Sequence, residues 1–206
     1  MLLAINTAFA DADLALVVGE KSFFRTIDAK SKHAENVLKN IDEMCEEAGV
    51  VFRNIDSVAV VVGPGSFTGI RIGVAIVKAL SCVKNDLKIY PITSLELMAY
   101  IYGHTERVHT VLNALSSLYF VATFENGEKV ETEKMVDKLD ENGKYITLKG
   151  DLSLKNAEVV EFSPEKLAEF ALLKAQRGEN ISPSRLEPLY IRPSQAEANL
   201  KNAKNV

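Results

Sequence analysis

Gly63, Pro64, Gly65, Ser66, Thr68, Gly69 and Gly73 all fall within VAVVVGPGSFTGIRIG, residues 58–73, where an apolar run breaks at a glycine-rich corner and becomes a helix start. These residue types could hold an anion. Glycines at 63 and 65 permit positive φ, Pro64 fixes the turn between them, and Ser66 can cap a helix whose first N–H groups would otherwise lack partners. Arg71 could add charge. The same features suit a plain strand-to-helix turn, and both readings stay open. Two nucleotide signatures are excluded on spacing. Gly69 is followed by Ile70 and Arg71, where a P-loop needs Lys-Ser/Thr, and Gly63, Gly65 and Gly69 form GxGxxxG instead of GxGxxG.

Other catalytic patterns are poorly served. The 3 histidines, His33, His104 and His109, form no HExxH pattern, and His104 and His109 do not share a helical face. Each reads as a surface or edge histidine, and no metal site is expected. Ser66 has no histidine placed by sequence to activate it as a nucleophile. A small-molecule kinase or ATPase needs an acidic residue at the first strand-turn, where Asn6 stands; Asn6 cannot act as a base, although Asp11 or Asp13 could substitute. The 2 cysteines, Cys45 and Cys82, sit at helical positions of apolar patterns and read as buried, reduced thiols.

The elements that must position the corner follow from periodicity. Leu2–Ile5, Leu14–Val18 and Ser22–Ile27 read as a three-strand meander with a tight Gly19-Glu20 turn. Ser31 opens a helix with Ala34, Val37, Leu38, Ile41, Met44, Cys45 and Ala48 on one stripe, ending at Gly49. A strand over Ser57–Val62, the corner, a helix over Phe67–Lys84, a strand over Lys88–Ile92 and a helix capped by Thr93 and Glu96 complete the first half. Three strands, helix, strand, helix, strand, helix is the ribonuclease H-like layout.

The meander recurs after Gly103: strands over Val108–Ala114 and Leu118–Phe124, an Asn126-Gly127 turn, and a strand over Lys129–Met135. A short helix near Val136–Glu141, strands at Tyr145–Leu148 and Val159–Glu161, and a helix capped by Ser163 and ended by Gly178 are expected next. Pro188 and Pro193 keep the tail PLYIRPSQAEANLKNAKNV from forming a regular central strand. The expected fold class is α/β with two ribonuclease H-like halves and mixed sheets flanked by helices, divided as residues 1–103 and a divergent 104–206.

Charge and composition narrow the partners. Lys and Arg number 24 against 28 Asp and Glu, so the chain lacks the basic excess of a protein that grips phosphate backbones alone. No direct tRNA binding alone is expected. The start, MLLAIN, has neither a basic flank nor a membrane-length run, so a cytoplasmic protein with no membrane attachment is expected.

The helix after the corner carries apolar residues on two faces. Ile72, Ala75, Ile76, Ala79 and Val83 are assigned to the sheet, which leaves Ile70, Val74 and Val77, interleaved with Arg71, Lys78 and Ser81, as a second stripe. Such a stripe needs a cover. Gly69 and Gly73, four apart, would let another backbone approach. A protein partner is the favoured cover, and the other half of this chain is the alternative.

GPGSFTGIRIG, with AINTA at the start, KHAEN in the first helix and PLYIRP near the end, resembles the TsaB (YeaZ) family. The resemblance is strong over roughly the first hundred residues, weak through the middle, and returns in the tail. It implies a sugar kinase/Hsp70/actin-like fold and a noncatalytic subunit for threonylcarbamoyladenosine formation on tRNAs reading codons that begin with A. The catalytic work would belong to a TsaD-like partner, which would hold the nucleotide and metal, so no cofactor is expected here. A TsaE-like ATPase would join the larger complex, and a homodimer would form when the chain is alone. The implied partner interface is His33, Asn36, Ile70, Arg71, Val74, Val77, Lys78 and Ser81. The chain departs from the family at Asn6, where aspartate is usual, and at Asn113–Leu118, where a DARxxEVY motif is usual.

Overall fold

The computed structural model describes residues 1–31, 34–103, 106–154 and 156–191. The first sheet is built from β1 (Leu2–Asn6), β2 (Ala12–Val18), β3 (Lys21–Ile27), β4 (Ser57–Gly63) and β5 (Lys88–Thr93), in the order β3-β2-β1-β4-β5. The three meander strands are antiparallel, and β4 and β5 run parallel to β1. The second sheet uses β6 (Val108–Asn113), β7 (Tyr119–Glu125), β8 (Glu128–Val136), β9 (Tyr145–Leu148) and β10 (Ala157–Val160), in the order β10-β9-β6-β7-β8. Counted from its own first strand, it repeats the first sheet's order and directions. The expected duplication is therefore present in topology although no sequence repeat carries it.

Helices α1 (Ala34–Glu47) and α2 (Phe67–Val83) pack on the first sheet, α3 (Ser94–Tyr102) follows β5, and α4 (Pro164–Gln176) follows β10. Local signals set their ends. Thr93 Oγ1 accepts from Glu96 N–H at 3.2 Å while Glu96 Oε1 accepts from Thr93 N–H at 2.8 Å, the reciprocal capping box expected from the spacing. Ser163 caps α4 with Pro164 in its first turn. None of the described helices is long and apolar enough to cross a membrane.

A division at 103/104 separates the sheets but not the cores. α3 buries Leu95, Met98 and Ala99 against the second sheet, whereas α4 returns to lay Leu167, Ala168, Phe170 and Ala171 into the core of the first. Helix α3 also puts Leu97 into the first core, so it joins the two, while α4 from the second half completes the first. The helix expected near Val136–Glu141 is absent: β8 runs to Val136, and the chain then passes through a bend and a turn to β9. Leu139 of that connection packs against Val111, Val121 and Tyr145, covering a sheet face without a helix. The tail through Ile191 contains no strand, and its remainder lies outside the described residues.

Candidate functional site

The corner is tied to the turn after β1. Gly63 has φ +115 and leads through a cis peptide into Pro64. A β-carbon on Gly65 would sit 2.4 Å from the Ala8 carbonyl oxygen, so only glycine allows the two backbones to meet there. Ser66 N–H donates to that carbonyl at 2.7 Å, and Ser66 Oγ accepts from Gly69 N–H at 3.2 Å, capping α2. From the other side, Leu189 N–H donates to Val62 O at 2.8 Å, bringing that part of the tail against the corner. The donors that could have cradled an anion at Ser66 and Gly69 are spent inside the chain. The two bonds of Ser66 pack the corner as a strand-to-helix turn.

The face of α2 that meets the sheet differs from the expected one. Gly69, Ile70, Gly73, Val74, Ile76, Val77, Leu80 and Ser81 are buried, with Ile70 and Val74 at 5% and Val77 at 0% exposure. The stripe assigned to a partner is the chain's own core. Of the residues assigned to the sheet, Ile76 is buried at 4% exposure, Ala75, Ala79 and Val83 are exposed, and Ile72 is half-buried. The physical reason is the glycine pair. Thr7 Oγ1 donates to Gly69 O at 2.7 Å, and a β-carbon on Gly73 would lie 2.7 Å from Thr7 Oγ1 and 3.3 Å from Val60 Cγ2. The close approach that Gly73 permits is to Thr7, just after β1, and to β1 and β4, which turns the 70/74/77 side inward.

Of the implied interface residues, Arg71 and Lys78 are exposed on the outer side of α2, and Asn36 is half-buried on α1. Ser81 is buried and donates to Lys78 O at 2.7 Å. His33 lies outside the described residues, as does His104. Thr68 is exposed in the first turn of α2. The guanidinium of Arg71 stacks 3.8 Å from the Phe67 ring centroid, and its Nε donates to Tyr190 Oη at 2.9 Å. Phe67 and Tyr190 are 47% and 51% exposed, so this cluster is an outward-facing aromatic and cationic patch. Sequence periodicity missed Tyr190, and the PLYIRP motif was its only signal. Cys45 is buried as expected, but Cys82 is exposed on the outer side of α2.

Between the lobes, Ala8, Phe9, Ala10, Gly65, Ser66, Leu112, Asn113, Leu115, Phe120 and Asp151 line a cleft of about 380 Å³. The lining does not suit the phosphates of a nucleotide. No lysine, arginine or histidine lines it among the described residues, and its one charged side chain is a carboxylate. Burial pushes the Asp151 carboxyl above its ordinary range, opposed by the bond Oδ2 accepts from Asn113 N–H at 2.7 Å. Phosphates would meet negative charge and apolar walls. Asp13, offered as an alternative acid, is 7% exposed within the first sheet; burial raises its pKa against hydrogen bonds from Thr26 and Asn6. Asp11 accepts from Ala29 N–H at 2.9 Å. His109 is half-buried, with Nδ1 2.9 Å from Thr123 Oγ1, and burial lowers its pKa.

Comparison with known proteins agrees with this architecture. The family model described as "TsaD: tRNA N6-adenosine threonylcarbamoyltransferase" matches residues 27–187. The chain is 32% identical over 117 residues to the tRNA threonylcarbamoyladenosine biosynthesis protein TsaB of Haemophilus influenzae, covering 56% of this chain and 49% of that protein. That match spans about half of the relative's length. TsaB of Escherichia coli is 22% identical over 192 residues, covering 80% of this chain and 83% of the relative. The solved structure of YeaZ from Pseudomonas aeruginosa superposes with a TM-score of 0.73 at 22% identity, over 92% of this chain and 98% of that one. With a family model spanning most of its length, curated relatives named TsaB and the fold of YeaZ, the chain belongs to the TsaD family and to its TsaB/YeaZ members.

Proposed function

We propose that this chain is a noncatalytic subunit in the formation of threonylcarbamoyladenosine next to the anticodon of tRNAs that read codons beginning with A, and that it works by pairing with a TsaD-like catalytic subunit. Family membership supports the pathway. The observation that carries the supporting role is the glycine corner: Ser66 N–H donates to Ala8 O and Gly69 N–H to Ser66 Oγ, so the loop braces α2 against β1. A brace of that kind sets a surface.

The surface offered is the outer side of α2, with Phe67, Arg71 and Lys78, beside Asn36 of α1. Ile70, Val74 and Val77 support it from beneath. Nucleotide and metal belong to the partner, a TsaE-like ATPase joins the larger assembly, and the chain alone self-pairs through the same side. It acts in the cytoplasm and does not bind tRNA by itself.

Co-expression with the matching TsaD-like subunit, size-exclusion chromatography and a tRNA modification assay test this reading. A stable complex is expected, with modification dependent on both chains, and Arg71→Glu combined with Lys78→Glu should weaken the complex at least tenfold while leaving the melting temperature unchanged. Modification by the partner without this chain, or ATP turnover by this chain alone, would overturn it.

A further inference from the structure

The interlobe cleft has chemistry of its own. Its walls are Ala8, Phe9, Ala10, Leu112, Leu115 and Phe120, and its polar side chains are Ser66, Asn113 and Asp151. All three polar groups carry oxygen acceptors with lone pairs left over. Asp151 has bonded one carboxylate oxygen, Oδ2, to Asn113 N–H. Asn113 Oδ1 accepts one bond, from Leu115 N–H at 2.9 Å, and Ser66 Oγ accepts one, from Gly69 N–H. Among the described lining residues no cationic side chain answers the carboxylate.

The turn at the mouth is held at a conformational cost. Leu115, Ser116 and Ser117 take φ of 64°, 55° and 61°, three successive left-handed residues without a glycine. The turn closes through Leu118 N–H to Leu115 O at 3.1 Å and Ala114 N–H to Leu118 O at 2.9 Å. Its result is a leucine left 68% exposed at the rim. An apolar rim, apolar walls and a half-buried carboxylate complement a positive charge on a hydrocarbon stem.

We propose that this cleft takes a primary ammonium group carried on an apolar stem, with Asp151 as its counter-ion. An ammonium has three N–H donors for the acceptors of Asp151, Asn113 and Ser66 that line the cleft, and its stem would meet Phe9, Leu112 and Phe120. A free amine and the lysine side chain of a partner protein share this chemistry.

Amide chemical-shift mapping of the full chain in 1,5-diaminopentane, with ionic strength held constant by NaCl, tests the site. Shifts confined to residues 8–10, 65–66, 112–115, 120 and 151 are expected, with at least tenfold weaker binding in Asp151→Asn and no such shifts from Mg-ATP. A parallel titration with Nα-acetyl-lysine-N-methylamide separates the sources: tighter binding of the diamine upholds the site for a free amine, tighter binding of the lysine derivative upholds it for a protein side chain. Absent or scattered shifts in the wild-type chain overturn the proposal, as do equal affinity in Asp151→Asn and Mg-ATP shifts in the same cleft. The wild-type map decides even if the variant fails to fold, and neither result depends on whether a TsaD-like subunit is the partner.

Discussion

Gly73 of α2 passes Thr7 so closely that a β-carbon at position 73 would stand 2.7 Å from the threonine Oγ1, while that same hydroxyl donates to Gly69 O one helical turn earlier. Thr7 is fully buried just after β1, so the contact cannot be relieved by a side chain swinging into solvent.

Gly73→Ala should therefore destabilise the chain by about 1–3 kcal/mol despite alanine's better helix propensity, because overpacking against Thr7 and Val60 outweighs the propensity gain. Urea unfolding of Gly73→Ala, Thr7→Ala and the double variant checks it. The double variant should be less destabilised than the sum of the two, since Thr7→Ala removes the atom the new methyl strikes.

Val74→Arg should unfold the protein. Val74 is 5% exposed beneath α2, and an arginine there buries a charge with no partner, a loss of at least about 4 kcal/mol. Circular dichroism melting separates this from a surface effect: a variant that kept the wild-type melting temperature would mean the 70/74/77 side faces out after all.

Asn6→Asp should make stability depend steeply on pH. Asn6 is 1% exposed and its amide bonds to Asp13, whose carboxyl is already raised above its ordinary 3.8, chiefly by burial. A carboxyl with a raised folded pKa binds its proton more tightly folded than unfolded, so its contribution is most favourable below 3.8 and declines as pH rises through the folded value. A second carboxylate beside it enlarges that loss, by roughly 3 kcal/mol at pH 8. Melting from pH 5 to pH 8 should show Asn6→Asp falling away from wild type as pH increases.

Lys174→Met should cost about 3 kcal/mol. Lys174 is 7% exposed, and its Nζ lies 2.9 Å from Glu96 Oε1 and 3.0 Å from Glu179 Oε2, joining α4 to the capping box of α3. Burial works to lower its pKa, but the two glutamates outweigh it and hold the ammonium above the ordinary 10.5. Its contribution is complete below that value and is lost as pH climbs through the folded pKa, so alkaline unfolding above pH 10.5 should shift in wild type and not in Lys174→Met.

Local features were legible in sequence. The Thr93/Glu96 box, the Ser163-Pro164 start of α4 and the Asn126-Gly127 turn each formed where residue type and spacing place them, because a cap or a tight turn is decided within a few residues. The orientation of α2 was not. Apolar side chains stand on both of its sides, and the smaller ones, Ala75 and Ala79, tolerate exposure, so a count of hydrophobic positions has two solutions. What breaks the tie is the contact of two glycines with Thr7, more than sixty residues away along the chain.

By itself the sequence determined the strand and helix order, the duplicated meander, the glycine corner and the resemblance carried by GPGSFTGIRIG, all of them properties of short segments. Tertiary structure alone decided which side of α2 is core, that α3 bridges the two cores while α4 packs on the first sheet, and that the interlobe cleft is lined by a carboxylate. Those outcomes depend on which distant surfaces meet, and the free energy of excluding water between them is set by fit across the whole fold.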